Sequence, residues 1–504
     1  MSARQIQISN VTFSYPDSVK PVLLNINLTL TEGWTGLVGP NGSGKTTFVH
    51  LIGGQLPCSR GSINGHEQYK ILLCSQETDQ LPEGAEDFLY DPVGSGGRWR
   101  SLLGIGYDWL YRWDTLSLGE KKRFQLGILM AQDPDVLILD EPFNYLDREG
   151  REEIYRALES YSGLGLLIAH DRYALDRICQ QCLYFDGGQV SLRSGNYSES
   201  SEQMAMEADS HRQQRQNFRE QYNHLNKVAK QMKSRETGRN HKMSKKGLSS
   251  KDHDNKAKID GYRLLGKDKR ASQKIKHLED RAAAIKDQLE GDASFKDLED
   301  RQAFFKQTIS KGDSFIQLEP GELRLSDDLV LTWPELSWGR SDKIHLAGSN
   351  GSGKTSFLKY LESIIEYSKG YWLPQELSLE DKNTLLVTLR ALRKDKQQEF
   401  LTLLSYWGIE PDYYLAKKDF SPGEWVKIQL SFVLSQDISL LVMDEPTNHL
   451  DIKAIEHLEE ALQTYGGALM LVSHDAELAR VSTNKKWIIE KISPEIFSIN
   501  KEIL

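Results

Sequence analysis

Residues suited to holding phosphate occur twice in this chain, 309 positions apart and in the same order. Gly39-Pro-Asn41-Gly42-Ser43-Gly44-Lys45-Thr46-Thr47 returns as Gly348-Ser-Asn350-Gly351-Ser352-Gly353-Lys354-Thr355-Ser356. Glycines at this spacing let backbone N–H groups wrap phosphate oxygens at a helix N-terminus. Lys45 and Lys354 are then placed for the β- and γ-phosphates, and the hydroxyls of Thr46 and Thr355 for Mg²⁺. Asp140-Glu141 and Asp444-Glu445 each close an apolar run. The aspartate is placed to hold the Mg²⁺ shell, and the glutamate to orient or deprotonate an attacking water.

Further pairs keep the same order. Gln76 and Gln375 follow predicted strands and are candidates for Mg²⁺ or the water. His170 and His474 each follow a predicted buried strand and precede an aspartate. A packed core histidine is the alternative there, and the repetition favours a hydrogen bond to the γ-phosphate. Ser117-Leu-Gly119-Glu120 and Ser421-Pro-Gly423-Glu424 open predicted helices. They form an anion site without a lysine of its own, which fits the γ-phosphate of a nucleotide held by the other repeat.

The elements that must position these residues alternate strand and helix. Apolar runs at Leu37-Val38, Ile71–Leu73, Val136–Leu139 and Leu164–Ile168 predict buried strands of a largely parallel sheet over residues 1–200. Residues 313–504 repeat the plan near Ile344–Leu346, Tyr371–Leu373, Leu440–Met443 and Leu469–Val472. Residues 201–312 differ. Phe218, Leu225 and Met232 are seven apart, with Tyr222 and Val228 between them, and Ile275, Leu278, Ala282, Ile285 and Leu289 step by three and four. This predicts a two-armed helical hairpin with an irregular tip at 238–262 and arms of about 30 residues, roughly 45 Å long.

Charge separates the same segments. The whole chain is at −9, yet residues 211–290 carry 22 Lys/Arg against 10 Asp/Glu, so the remainder stands at −21. Lys227 to Lys251 hold nine basic residues and one acid, Glu236. A solvated spacer needs no such single-signed run, so Lys230, Lys233, Arg235, Arg239, Lys242, Lys245, Lys246 and Lys251 are candidate RNA contacts. Cys58, Cys74, Cys179 and Cys182 complete no zinc pattern and predict free thiols. Neither a leader nor an apolar run of about 18 residues is visible. The expectation is a cytoplasmic chain without a membrane span.

The ordered set resembles that of the ATP-binding cassette ATPases, at both ends of the chain. Two such cassettes fused by a basic hairpin are similar to the ABC-F family of ribosome-associated translation factors. Asn144-x-Leu-Asp147, Asn448-His-Leu-Asp451 and Gly195-Asn-Tyr-Ser198 fit that family. The resemblance implies an α/β protein: two ATP-binding cassette (P-loop NTPase) domains joined by a long antiparallel α-helical hairpin linker. It implies ATP with Mg²⁺, and a monomer whose cassettes close head to tail around two nucleotides. Lys45 would face Ser421 and Gly423, and Lys354 would face Ser117 and Gly119. Tyr15 takes the place where the family stacks an aromatic on adenine; around Trp333 and Trp338 no counterpart stands out. Partners implied are ribosomal RNA and tRNA, reached through residues 211–290. The short stretch from Gln76 to Ser117 leaves little room for an additional arm, as in the antibiotic-resistance branch. The rival readings are the energy subunit of a membrane transporter, which leaves the basic hairpin unexplained, and a DNA-repair ATPase, which usually carries zinc cysteines or far longer coiled coils.

Overall fold

The computed structural model describes residues 4–16, 20–75, 80–90, 96–144, 146–242, 267–291, 316–326, 329–365, 370–417, 419–436 and 438–503. These fall into two compact units, one of residues 1–200 with 302–504 and the other of residues 201–301.

In the N-terminal half a six-stranded sheet runs in the order Ile71–Cys74, Val136–Asp140, Leu164–Ile168, Gly33–Val38, Gln181–Asp186, Gln189–Ser194. The first five strands are parallel and the last is antiparallel. Leu164–Ile168 is buried at every position, as expected of a strand covered on both faces. Its neighbour Gly33–Val38 presses the indole of Trp34 onto Gly165, where a Cβ would collide with the ring. Gly165→Ala is therefore expected to cost about 1–3 kcal/mol, read as a lower urea midpoint followed by tryptophan fluorescence.

A second, antiparallel sheet of Gln5–Phe13, Leu23–Thr31 and Arg60–Asn64 qualifies the largely parallel expectation. Gln5–Phe13 alternates buried and exposed residues only up to a register shift after Ile8, which breaks the strand period.

The C-terminal half centres on an eight-stranded mixed sheet. Gly370–Leu373, Leu440–Asp444, Ala468–Val472, Lys343–Gly348 and Lys485–Ser493 form its parallel core. Strand order and helix placement match the N-terminal half, so corresponding motifs leave corresponding strand ends. Trp333 and Trp338 lie in the core of this half, their indole N–H groups donating to the carbonyls of Glu319 and Asp342. Neither ring is offered to a ligand.

The described residues of the second unit form two helices. Tyr197–Lys242 begins at the edge of the N-terminal half, and Lys267–Gly291 follows. Ala229, Ile275, Ala282 and Ile285 are buried, and Lys233 pairs with Glu279 at 3.1 Å. Two expectations are corrected. The first helix has 46 residues, about 69 Å, and passes through Gly238 to Lys242, where the irregular tip was placed. Met232 is 39% exposed and lies outside the seam. The remainder of the expected tip, with Lys245, Lys246 and Lys251, lies outside the described residues. No helix among the described residues is long and apolar enough to cross a membrane.

Candidate nucleotide sites

Each phosphate loop leaves its strand and enters a helix through a glycine in the left-handed region, Gly44 at φ 100° and Gly353 at φ 93°. Only glycine takes this conformation at no steric cost. The helices Lys45–Ile52 and Lys354–Ile364 therefore point their N-termini into the loops. Lys45 Nζ donates to the carbonyls of Gly39 at 2.7 Å and Pro40 at 3.0 Å. Lys354 Nζ does the same to Gly348 at 2.8 Å and Ser349 at 3.0 Å. Thr46 Oγ1 donates to Asp140 at 3.3 Å, and Thr355 Oγ1 to Asp444 at 2.7 Å. A hydroxyl beside a carboxylate at the strand end is the donor set that Mg²⁺ takes in such sites.

Glu141 and Glu445 follow those aspartates with φ of 48° and 50°, a strained backbone for a non-glycine residue. The turn is fixed by Glu141 N donating to the Ile168 carbonyl and Glu445 N to the Val472 carbonyl, both at 2.9 Å. One oxygen of each carboxylate, Oε1, is buried without a hydrogen-bond partner. His170 Nε2 comes within 3.3 Å of the first and His474 Nε2 within 3.4 Å of the second, in both cases without hydrogen-bond geometry. The imidazoles instead reach Asn41 Oδ1 and Asn350 Oδ1, each at 3.2 Å. Burial, with Asp140 alongside, pushes Glu141 up to about 8, and burial pushes Glu445 up to about 7. Burial also pushes His170 and His474 down to about 3, helped by Lys45 and Lys354 respectively, so both are neutral. Five side chains, a lysine, a threonine, an aspartate, a glutamate and a histidine, thus converge on each loop. Ser43 Oγ and Ser352 Oγ are likewise buried and unpartnered, and a Cβ at Gly42 or Gly351 would meet open space. Orphaned polar atoms around an open cradle fit a bound nucleotide and its cation.

The other candidates divide. Tyr15, 43% exposed, bonds Thr47 Oγ1 at 3.0 Å through its hydroxyl, at the rim of the first loop. Ser356 is exposed beside Thr355, and Gln375 is exposed just past the strand Gly370–Leu373. Gln76 lies outside the described residues. Ser117 and Ser421 cap the helices Leu118–Ala131 and Pro422–Leu434. The carboxylates of Glu120 and Glu424 turn back to accept from the backbone N–H of Ser117 and Ser421, closing a capping box that shapes each turn. Lys417 and Tyr413 hold Glu424 further.

The two halves meet at these loops. Gly423 lies against the first loop, where an added Cβ would stand 3.1 Å from Asn41 Nδ2. That same amide donates to the His449 carbonyl at 2.8 Å, and Asn41 N approaches Asp451 Oδ2 at 3.4 Å. Asp451 is in turn paired with the buried Lys427 at 2.7 Å. At the second loop Asp147 and Arg151 of the N-terminal half act electrostatically on His474, and Asp147 also on Lys354. Neither Ser117 nor Ser421 hydrogen-bonds the opposite lysine among the described residues. Lys427, His449 and Asp451 are the site residues that motif reading did not assign. The signal available for them was the aspartate repeated three residues after Asn144 and Asn448.

Two matching phosphate loops, the first of them touched by Gly423, His449 and Asp451 of the opposite half, have the make-up of a twin-cassette ATPase. The ABC transporter family model matches residues 23–144 and 334–448. Each half thus carries an ATP-binding cassette domain, the chain is an ATP hydrolase, and it is similar to proteins of the ABC-F family. It is 26% identical to the ribosome protection protein VmlR of Bacillus subtilis, over 96% of this chain and 86% of that one. It is also 26% identical to the tylosin resistance ATP-binding protein TlrC of Streptomyces fradiae, over 94% and 95%. The crystal structure of the archaeal ribosome recycling factor aABCE1, complexed with the ribosomal stalk protein aP1, shares the fold. Its TM-score is 0.62 at 16% identity, covering 97% of this chain and 89% of that one.

Proposed function

We propose that this ATPase binds the bacterial ribosome while its cassettes are closed on ATP, directs its basic hairpin toward tRNA and the peptidyl-transferase region, and leaves after hydrolysis. In this reading residues 1–200 and 313–504 are the cassettes and 201–312 the linker. The observation that carries the reading is the helix Tyr197–Lys242. It starts in the first cassette and exposes Lys227, Lys230, Lys233 and Arg235 along its length. Basic side chains in a row suit the phosphates of RNA irrespective of sequence. The resistance and protection relatives favour a ribosome-protecting role, and a cytoplasmic location goes with it.

Within each site the chain's own groups divide the work. Lys45 and Lys354 hold phosphate oxygens in place of the loop carbonyls they now occupy. Thr46 with Asp140, and Thr355 with Asp444, would hold Mg²⁺, with Gln76 and Gln375 alongside. The cation, when bound, neutralises charge on the β- and γ-phosphates. Glu141 and Glu445 orient the water and accept its proton, while neutral His170 and His474 donate Nε2–H toward the γ-phosphate.

The test is co-sedimentation of the hydrolysis-deficient Glu141→Gln, Glu445→Gln protein with ribosomes. Retention with ATP and its absence without nucleotide are expected. Adding Lys230→Glu, Lys233→Glu and Arg235→Glu should release the protein, and neutralising them should lower the salt slope by about 1 per phosphate contact. A nucleotide-loaded trap that never pellets with ribosomes overturns the reading.

A further inference from the structure

The helix Ile452–Thr464 of the second cassette buries one face in its own cassette through Ile455, Leu458 and Leu462. From other positions it reaches the first cassette at three places. Its cap, Asp451, faces Asn41 of the first phosphate loop at 3.4 Å. Glu456 Oε1 accepts a hydrogen bond from Tyr197 at 3.0 Å. Glu459 takes the guanidinium of Arg172 on both its oxygens, Nη1 lying 3.2 Å from Oε2. Glu456 and Glu459 are three apart and share a side of the helix. Ile452, 5% exposed, joins the buried cluster that holds Phe143 and Leu146 of the first cassette.

What these partners are gives the contacts meaning. Asn41 also receives His170. Arg172 stands two residues after His170 and comes within 3.9 Å of Asp475, the residue after His474. Tyr197, 7% exposed, is the first residue of the 46-residue helix. The root of that helix is tied down by Tyr184 on Ser200 at 2.8 Å and by Ser198 N on Asp176 at 2.7 Å. The link is single. Counting from His170 and Asp147, the positions matching Arg172 and Glu459 in the opposite cassettes are Ala476 and Tyr155, which cannot form an ion pair.

We infer that the helix Ile452–Thr464 couples the first ATP site to the root of the hairpin, with Glu456–Tyr197 and Glu459–Arg172 as the positioning contacts. Asp451, Glu456 and Glu459 ride on one rigid helix. A nucleotide that draws His449 and Asp451 onto the first loop therefore also seats Glu456 on Tyr197. When the cassettes part, both groups return to water and the root loses that restraint. Such a contact is made in one state only, which is what lets a ligand bias the equilibrium. The inference rests on closure around ATP and not on the ribosome, so its test uses the full chain alone.

The experiment is hydrogen exchange of the Glu141→Gln, Glu445→Gln protein with and without ATP. ATP is expected to slow exchange both at the phosphate loops and at residues 197–210. Adding Tyr197→Phe removes one hydroxyl and keeps the ring. It should leave the loops protected and reduce the ATP-dependent protection of 197–210 by about tenfold, the effect of one hydrogen bond to a charged group. Adding Glu456→Gln instead, which retains an acceptor, should preserve most of it. Unchanged protection at 197–210 with Tyr197→Phe overturns the coupling. So does equal loss of protection at the loops, since Tyr197 would then be a general structural residue. Loops that gain no protection from ATP in the parent protein count instead against closure itself.

Discussion

The Glu141→Gln, Glu445→Gln protein is expected to turn over ATP about 10²–10⁴-fold more slowly than the parent, the usual contribution of a positioned general base, while still binding nucleotide. Glutamine keeps the size and one acceptor oxygen of glutamate. Glu445 Oε2, which accepts from His474 N at 3.1 Å, can be replaced by an amide oxygen without losing that bond. The left-handed backbone at 141 and 445 is held by main-chain bonds to Ile168 and Val472, which the substitution does not touch. What disappears is the capacity of Oε1 to take a proton, and in both sites Oε1 is the buried atom without a partner. The lysines and threonines that hold phosphate are unaltered. Phosphate release under steady-state conditions measures the first effect, and a fluorescent ATP analogue measures the second. The single variants bear on symmetry. Equal halving by each would mean independent sites, whereas near-complete loss from one alone would mean that turnover needs both. A double variant that keeps more than about a tenth of parental turnover would remove these glutamates from the proton transfer.

Much of this site was legible because its residues are close in sequence and occur twice. Strands such as Val136–Asp140 announce themselves as short apolar runs, and a loop of glycines before a lysine has few other uses. Two local patterns admit more than one structure. The expected irregular tip starts at Gly238, but one glycine inside a long helix costs only about 1 kcal/mol relative to alanine, and Tyr197–Lys242 continues through it. Repetition alone makes Glu120 and Glu424 candidates for the nucleotide. The spacing from Ser117 and Ser421 is also that of a capping box, and the structure uses it as one. The groups that sequence could not supply are those paired across the halves. Arg172 and Glu459 are 287 positions apart, and Asn41 and His449 are 408. Neither member belongs to a periodic pattern that would announce the other. Only the stacking of one sheet's loops on the other's signature helix brings them together.

Lys427→Met is expected to destabilise the second cassette by about 3–5 kcal/mol, the cost of leaving one partner of a buried ion pair unmatched. Lys427 is 8% exposed and Asp451 3%, and Lys427 Nζ lies 2.7 Å from Asp451 Oδ2. Burial by itself would raise the Asp451 carboxyl; Lys427 outweighs it and holds the group below its ordinary value. A carboxyl depressed in this way contributes stability that is present above its unfolded pKa and is lost as pH falls through its folded one. Methionine preserves most of the stem but returns Asp451 to a buried charge supported only by the N–H groups of Ala454 and Asn41. Adding Asp451→Asn should recover a large part of the loss, because a neutral amide can keep the cap on Ala454 without a buried charge. The matching residue of the first cassette behaves differently. Arg123 is paired with Glu153, not with Asp147, and that pair is more exposed, so Arg123→Met should cost less. Urea midpoints of the four proteins, with fluorescence and far-UV circular dichroism as separate probes, give the comparison. If Lys427→Met is no less stable than Lys427→Met with Asp451→Asn, the ion pair is not what holds Asp451 against the first phosphate loop. Cap geometry alone would then have to place it there.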